Sequence, residues 1–391
     1  MTLRLFLVAG EPSGDRLGAA LMVGLKALAG ADIAFHGIGG PLMQAEGLEP
    51  LFEMEELSVI GLTDILANYR RLSRRVTETA DAVAALTPDA LITIDIPEFS
   101  LRVAAQVKAR APKLRTIHYV APTVWAWRPN RARKMARSVD HVLALLPFEP
   151  PYMQAEGMGC DFVGHPVVTE PQASEAEIAA FRARHDLPEG ATTLLALPGS
   201  RRSEITRLAP ILGQALRPVL ARHPGARVVL PAAPAVAGMI GAAVADWPGP
   251  PVILDPRGQA PAAFAADKRA SFAIADVALA ASGTVSLELA ASKTPMVIAY
   301  DMSLVSRWLV QMLLRIDTVT LVNLVADSRT IPEFIGKACR PAPVAAALNA
   351  LLDDAGARAR QLDAMALAMD RLGARGEPPG LRAARSVLSV I

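Results

Sequence analysis

Leu3-Arg4-Leu5-Phe6-Leu7-Val8-Ala9-Gly10-Glu11-Pro12-Ser13-Gly14-Asp15 is the stretch whose reading decides the fold. Its first six residues form a short, mainly apolar run, the pattern of a strand buried on both faces. A loop bearing Gly and Pro follows, and then Leu17, Leu21, Leu25 and Leu28 recur at helical spacing. A strand that passes through a tight loop into an amphipathic helix is the opening of a βαβ unit. Working outward, further strands are expected over Ile33–His36, Ala90–Ile94, Leu114–Val120 and His141–Leu145, with helical patterns between them. The alternation breaks at Gly164-His165-Pro166 and again at Glu170-Pro171, then restarts. Its second set of expected strands is Thr192–Leu197, Arg227–Leu230, Val252–Leu254, Val277–Ala280 and Pro295–Ala299. Helices near Arg207–Arg222, Pro234–Asp246 and Thr284–Ser292 would cover them. Beyond Pro343 the chain is Ala/Leu-rich and helical, interrupted by Pro378-Pro379-Gly380.

Strands separated by helix-length segments imply parallel sheets, so the expected class is α/β with two Rossmann-like domains facing a cleft. Ligands then sit at the carboxyl ends of the strands. The expected domains are 1–166, 167–365 and a helical tail, 366–391, with the C-terminal helices packing back on the N-terminal domain.

A chain of 391 residues with 52% hydrophobic content can bury two cores of ordinary size. The formal net charge of +2 is too small to imply a nucleic-acid partner. Only Cys160 and Cys339 occur, which suggests no disulfide framework and a reducing compartment. The apolar run Leu5–Ala9 is shorter than a secretory core, and no apolar stretch has the length of a membrane span. A soluble or membrane-attached protein is expected.

Several loops carry chemistry. In Gly10-Glu11-Pro12-Ser13-Gly14-Asp15 the glycines allow close backbone approach to a ligand at a helix N-terminus. The same residues also suit a plain tight turn with Ser13 or Asp15 as cap. Gly37-Ile38-Gly39-Gly40-Pro41 reads as a βα loop with Pro opening a helix. Asp95 follows the apolar run Leu91–Ile94, where a carboxylate at a strand exit can act as a general base; it can equally cap the next helix. Leu197-Pro198-Gly199-Ser200-Arg201-Arg202-Ser203-Glu204 sets a Gly-Ser turn and two arginines at a helix start. A helix start with no ligand prefers acidic residues, so this one points to an anion such as a diphosphate. Ala281-Ser282-Gly283-Thr284-Val285-Ser286-Leu287-Glu288 repeats the device, with Glu288 one turn in as a partner for ribose hydroxyls; Thr284 also fits a capping role. Trp125 and Trp127 alternate in a segment that suits a core wall or a sugar platform, and Arg128, Arg131, Arg133, Lys134 and Arg137 follow it. The histidines form no metal-ligand cluster, and there is no Asp-x-Asp triplet, so no metal or other cofactor is expected.

Over Gly61–Val76, Leu62, Ile65, Leu66, Tyr69 and Leu72 fall at helical spacing beside Arg70, Arg71, Arg74 and Arg75. This suits an interfacial helix for anionic lipid, or a buried helix with a basic outer face. Trp308, Leu309, Met312 and Leu313 form a similar, less basic group.

Taken together, the motifs resemble the lipid-A-disaccharide synthase family of Gram-negative bacteria. The segments that carry the resemblance are AGEPSGD at 9–15, GIGGPLM at 37–43, ITIDIPEFS at 92–100 and HYVAPTVWAWRPNR at 118–131. They continue with LPFE at 146–149, VGHP at 163–166, LPGSRRSEI at 197–205 and ASGTVSLE at 281–288. Leu321-Val322-Asn323-Leu324 departs from the family's usual Leu-Pro-Asn-Leu at Val322. The resemblance implies a GT-B fold and an inverting transfer of 2,3-diacylglucosamine from UDP to the 6-hydroxyl of 2,3-diacylglucosamine 1-phosphate (lipid X). The implied product is a β-1,6 disaccharide.

By the same resemblance Asp95 is the base. Gly199, Ser200, Arg201, Ser282, Gly283 and Thr284 hold the UDP diphosphate, and Glu288 holds its ribose. Glu11 and Ser13 face a sugar, and Asn323 is a further site candidate. The first domain would bind acceptor and face the membrane, the second would bind UDP-sugar, and the enzyme would sit in the cytoplasm on the anionic inner-membrane surface. A homodimer is the candidate assembly. A UDP-N-acetylglucosamine 2-epimerase is the competing enzyme on this architecture, and a non-catalytic nucleotide-sugar sensor is the competing binding protein.

Overall fold

The structure, a computed structural model, describes residues 2–30, 32–57, 62–128, 130–302 and 316–391; the side chains of 62–69 lie outside the description. The group Trp308, Leu309, Met312 and Leu313 also falls outside the described residues. The chain divides into two compact units, Met1–Thr169 with Leu372–Ile391, and Glu170–Arg371.

The first unit runs β1 (Leu3–Val8), α1 (Pro12–Ala29), β2 (Ile33–Ile38), α2 (Pro41–Ala45), β3 (Leu48–Pro50), α3 (Leu62–Leu86), β4 (Ala90–Ile94), α4 (Pro97–Arg110), β5 (Arg115–Tyr119), α5 (Asn130–Met135), β6 (His141–Ala144), α6 (Pro150–Gln154) and β7 (Gly159–Phe162). Its seven strands lie in the order β3-β2-β1-β4-β5-β6-β7, all parallel. Alternate side chains of β1 serve the two faces, as strand geometry requires. Phe6 and Val8 join Val76 and Val83 of α3 and Val103 and Val107 of α4. Leu5 and Leu7 join Leu17, Leu21 and Leu25 of α1 and Ala383, Ala384 and Val387 of the C-terminal helix, Pro379–Val390.

That last helix returns to the first unit, and the Pro-Pro-Gly interruption is its start. Pro379 takes the first turn, where its missing N–H costs nothing. A Cβ on Gly380 would lie 2.5 Å from the Ala20 carbonyl oxygen, and one on Gly24 would lie 2.5 Å from the Gly380 carbonyl oxygen. Only glycine at both positions lets the backbones approach so closely. Arg382 donates to the Phe162 carbonyl at 2.7 Å, and Ser386 donates to Asp161 at 2.6 Å. The boundary expected at 365/366 falls inside a helix, because Arg371 still donates to the Val325 carbonyl of the second unit at 2.8 Å. The chain crosses one residue later, where the Leu372 carbonyl accepts from the His165 N–H at 3.1 Å.

The second unit runs α7 (Glu175–Arg184), β8 (Thr193–Leu197), α8 (Arg202–Arg222), β9 (Arg227–Pro231), α9 (Ala237–Ala243), β10 (Val252–Leu254), α10 (Pro261–Ala273), β11 (Val277–Ala281), α11 (Val285–Ala291), β12 (Met296–Tyr300), α12 (Leu321–Ala326), β13 (Glu333–Ile335), α13 (Pro341–Asp353) and α14 (Ala355–Arg371). Its parallel strand order is β10-β9-β8-β11-β12-β13. Every residue of β4, β8 and β11 is buried, which explains why these central strands read as unbroken apolar runs. The strands that periodicity missed, β3, β7 and β13, are edge strands of three or four residues with mixed burial. Such edges carry too few apolar positions to register as a pattern.

Candidate active site

In each sheet the strand order reverses once, between β1 and β4 and between β8 and β11. Loops leaving the carboxyl ends of two such strands border a crevice where ligands bind. Apart from Asn323, the catalytic and nucleotide-site residues that the resemblance implies lie at one of these two points, whereas the Gly37–Pro41 loop leaves β2 and the Trp125–Trp127 segment follows β5.

At the first point, β1 and β4 run side by side with Val8 opposite Thr93, so the Gly10–Ser13 loop and Asp95 emerge together. Gly10 lies against the tip of the Ile96 side chain, which would have to turn aside for a Cβ there. Glu11 occupies the cap position of α1 without a side-chain cap bond, Pro12 follows it, and Glu11 and Ser13 are exposed. Asp15 does not cap its own helix. Its carboxylate is buried and accepts from the N–H groups of Leu42 at 3.0 Å and Met43 at 2.9 Å, capping α2 instead. This is why Gly40 is glycine, since a Cβ there would meet the Asp15 carboxylate at 2.6 Å.

Asp95 and Ile96 both adopt left-handed backbone, with φ of 54° and 40°. Two consecutive non-glycine residues in that region store strain. The local bonds that hold them are Asp95 N–H to the Tyr119 carbonyl at 3.0 Å and Ser100 Oγ to the Asp95 carbonyl at 2.7 Å. Burial raises the Asp95 carboxyl above the ordinary aspartate value, and the Ile96 N–H opposes part of that rise. A carboxylate so placed is a stronger proton acceptor than a solvated one. On the neighbouring strand His118 is wholly buried, its pKa lowered by desolvation to about 4, and its Nδ1 lies 2.8 Å from Thr93 Oγ1. It is neutral at physiological pH. Trp125 is a wall of the core, with its ring edge-on to Phe148 and its indole N–H donated to Glu149 at 3.2 Å. Burial pushes the Glu149 carboxyl up to about 7.

At the second point lies a cavity of about 500 Å³. It is lined by Gly199, Ser200 and Arg201 from the β8–α8 loop and by Ser282, Gly283, Thr284 and Glu288 from the β11–α11 loop. The α11 terminus carries no side-chain cap bond; Ser286, not Thr284, donates its hydroxyl, to the Gly283 carbonyl at 3.0 Å. Two helix N-termini and a guanidinium border this one cavity, an arrangement of the kind that suits an anion.

Sequence reasoning missed the residues that organise it. Glu204 is buried, and its Oε2 accepts from the N–H groups of Ser200 at 2.9 Å and Arg201 at 3.2 Å. Its Oε1 accepts from the Arg201 guanidinium at 3.0 Å. Those two N–H groups are therefore taken by Glu204, and what the turn offers a ligand is the aimed guanidinium and the serine hydroxyl. Gly199, at φ +113°, has room for no Cβ beside the Glu204 carboxylate. A Glu three residues after a helix cap is the capping-box signal, visible in Arg201-Arg202-Ser203-Glu204. Lys268 of α10 also lines the cavity, with Phe264 and Phe272 one turn to either side, and donates to Glu288 Oε2 at 2.6 Å.

Asn323 lies apart. It is fully buried, donates to the Ile331 carbonyl at 2.9 Å and accepts from the Ile331 N–H at 3.0 Å, fastening α12 to the chain before β13. Val322 sits in the first turn of α12, where the backbone N–H has no intrahelical acceptor, so proline and valine both fit.

The expected membrane helix is α3, which runs on to Leu86. Leu62, Ile65, Leu66 and Tyr69 have side chains outside the described residues. Leu72 packs against the core, and Arg75 turns inward to Glu56 at 2.6 Å and over the Phe52 ring. Arg70, Arg71 and Arg74 are exposed.

A family model described as Lipid-A-disaccharide synthetase matches residues 5–375. The chain belongs to that family. A lipid-A-disaccharide synthase of Ruegeria pomeroyi is 59% identical over 386 residues, covering 99% of this chain and 95% of the relative. One of Rhodospirillum centenum is 45% identical over 389 residues, covering 100% and 95%. Among solved structures, the S. aureus MnaA–UDP co-structure has a TM-score of 0.64 at 14% identity, covering 100% of this chain and 98% of that one. At that identity the likeness concerns the fold alone, two Rossmann-like domains of the GT-B type. A member of the lipid-A-disaccharide synthetase family is a glycosyltransferase of lipid A biosynthesis, and the two switch-point sites are its candidate machinery.

Proposed function

We propose that this glycosyltransferase moves 2,3-diacylglucosamine from UDP-2,3-diacylglucosamine to the 6-hydroxyl of lipid X, forming the β-1,6 disaccharide 1-phosphate and UDP. The observation that carries the reading is the convergence of Arg201 and both Gly-Ser turns on one cavity in a chain of this family. Asp95 takes the proton of the acceptor 6-hydroxyl as its oxygen attacks the anomeric carbon. The bond to the diphosphate breaks on the opposite face, and UDP departs with the electron pair. Arg201, Ser200 and the α11 terminus meet the charge that builds on the leaving diphosphate. A single displacement of this kind inverts the anomeric centre and needs no covalent nucleophile.

Incubating the protein with UDP-diacylglucosamine and lipid X, with products identified by mass, tests the reading directly. A disaccharide 1-phosphate with UDP supports it. An epimerised nucleotide sugar points to the competing enzyme class, and nucleotide binding without turnover to a sensor. In this reading the diphosphate charge is met by the protein, so EDTA in the assay is expected to leave the rate unchanged.

Attachment to an anionic membrane through α3 belongs to the same proposal. No helix among the described residues is long and apolar enough to cross a membrane. Arg70, Arg71 and Arg74 are exposed on α3, and each basic residue near an anionic surface contributes about 1 kcal/mol. Changing all three to Gln is expected to lower partition onto phosphatidylserine vesicles on the order of 100-fold. Partition onto neutral vesicles would stay the same, and Leu72 is left alone because it packs on the core. Unchanged partition onto the anionic vesicles would remove α3 from the proposal.

A further inference from the structure

We propose that Lys268 is a positioning residue that sets Glu288 to read the ribose of the donor nucleotide. The inference rests on the nucleotide reading of the cavity and adds to it a residue on a different helix. Phe264, Lys268 and Phe272 recur every fourth residue along α10 and all three line the cavity, so one face of that helix forms its wall. The Lys268 ammonium donates to Glu288 Oε2 at 2.6 Å and stands 5.3 Å from the Phe272 ring centroid. Both members of the pair are partly sheltered rather than fully solvated, with side-chain exposures of 39% and 30%.

Glu288 sits one turn into α11, in a cavity that also holds Arg201 and the Ser282–Thr284 turn. A lone carboxylate there would repel a diphosphate and would rotate among several rotamers. Lys268 answers both problems. Its charge offsets that of Glu288, and its hydrogen bond to Oε2 fixes the carboxylate plane while Oε1 remains to accept from a hydroxyl. An ionised carboxylate accepts only, so the group it reads must donate, as the ribose 2′-hydroxyl does and the 2′-methylene of a 2′-deoxyribose does not. Lys268 thereby governs the distinction between a ribonucleotide and its deoxy counterpart, and it acts through Glu288 without entering the chemistry.

The test is calorimetric binding of UDP and 2′-deoxy-UDP to the full-length protein and to Lys268→Met and Lys268→Arg. The wild type is expected to prefer UDP by about 10-fold or more, the worth of one hydrogen bond to a charged group. Lys268→Met should weaken UDP binding by about 10-fold and bring the UDP/2′-deoxy-UDP ratio close to one, whereas Lys268→Arg should retain most of the preference. In turnover, Lys268→Met should raise the donor KM while kcat stays within about three-fold. A purely structural role would alter melting temperature without moving the ratio, so thermal unfolding of each variant is recorded alongside. A Lys268→Met protein with the wild-type ratio overturns the proposal, as does a wild type that binds the two nucleotides equally. A wild type that binds neither nucleotide removes the nucleotide reading of the cavity instead.

Discussion

Asp95→Asn is expected to lower kcat by about 10²- to 10⁴-fold, the usual worth of a positioned general base, while UDP binding stays within a factor of two or three. The substitution keeps the shape of the side chain, and asparagine tolerates the left-handed backbone at φ 54° as well as aspartate does. What it removes is the capacity to accept a proton. Steady-state kinetics of the purified variant, with UDP affinity measured by calorimetry, separates loss of chemistry from loss of binding. The pH profile carries a second expectation. Because burial raises the Asp95 carboxyl, the acid limb of kcat/KM should fall at a pH above the ordinary aspartate value. A carboxyl whose folded pKa exceeds its unfolded one destabilises the fold as pH rises through that interval, and the cost is complete above the folded pKa. The Asn variant should accordingly melt higher than wild type at pH 7 and no higher at pH 3. Turnover near the wild-type rate would remove Asp95 from the mechanism.

Arg201→Ala is expected to lower kcat/KM for the donor by about 10²- to 10³-fold, comparable to deleting one preorganised donor of an anion site. Its guanidinium is largely exposed to the cavity and tethered to the buried Glu204. The loss should fall on both KM and kcat, since charge grows on the diphosphate as UDP departs. Product inhibition by UDP should weaken in parallel. Arg201→Lys should restore part of the loss, because it keeps the charge but not the planar fork that can bond Glu204 and a phosphate together. Initial-rate kinetics with both variants checks this, and a kcat/KM within ten-fold of wild type for the Ala variant would contradict the assignment.

Much of this site is legible along the chain because its parts are local. A Gly-Ser turn between an apolar run and a helix start stands out over eight residues, and so does an aspartate at a strand exit. What periodicity could not supply is the second carboxylate–cation layer. Lys268 is twenty residues from Glu288 and sits in an Ala-rich helix whose pattern is bland apart from its two flanking phenylalanines. Asp15 reads as a cap for its own helix until Gly39 and Gly40 are seen to bring α2 against it. The basic stripe of α3 reads as uniform, yet Arg75 differs from Arg70, Arg71 and Arg74 because Glu56 and Phe52 lie beneath it.

The sequence by itself determined the alternation of strand and helix, the two-part division and the loops that are candidates for chemistry. Those properties depend on hydrophobic spacing and turn residues within a dozen positions of one another. Tertiary structure decided which loops meet. The order of strands across a parallel sheet is free of local pattern, and only once β1 lies beside β4 and β8 beside β11 do Glu11 and Ser13 join Asp95, and Arg201 join Ser282 and Glu288. It also decided that the Asn323 amide fastens the Ile331 backbone and is not among the residues lining the Arg201 cavity, because what a buried amide bonds is set by the segment packed against it.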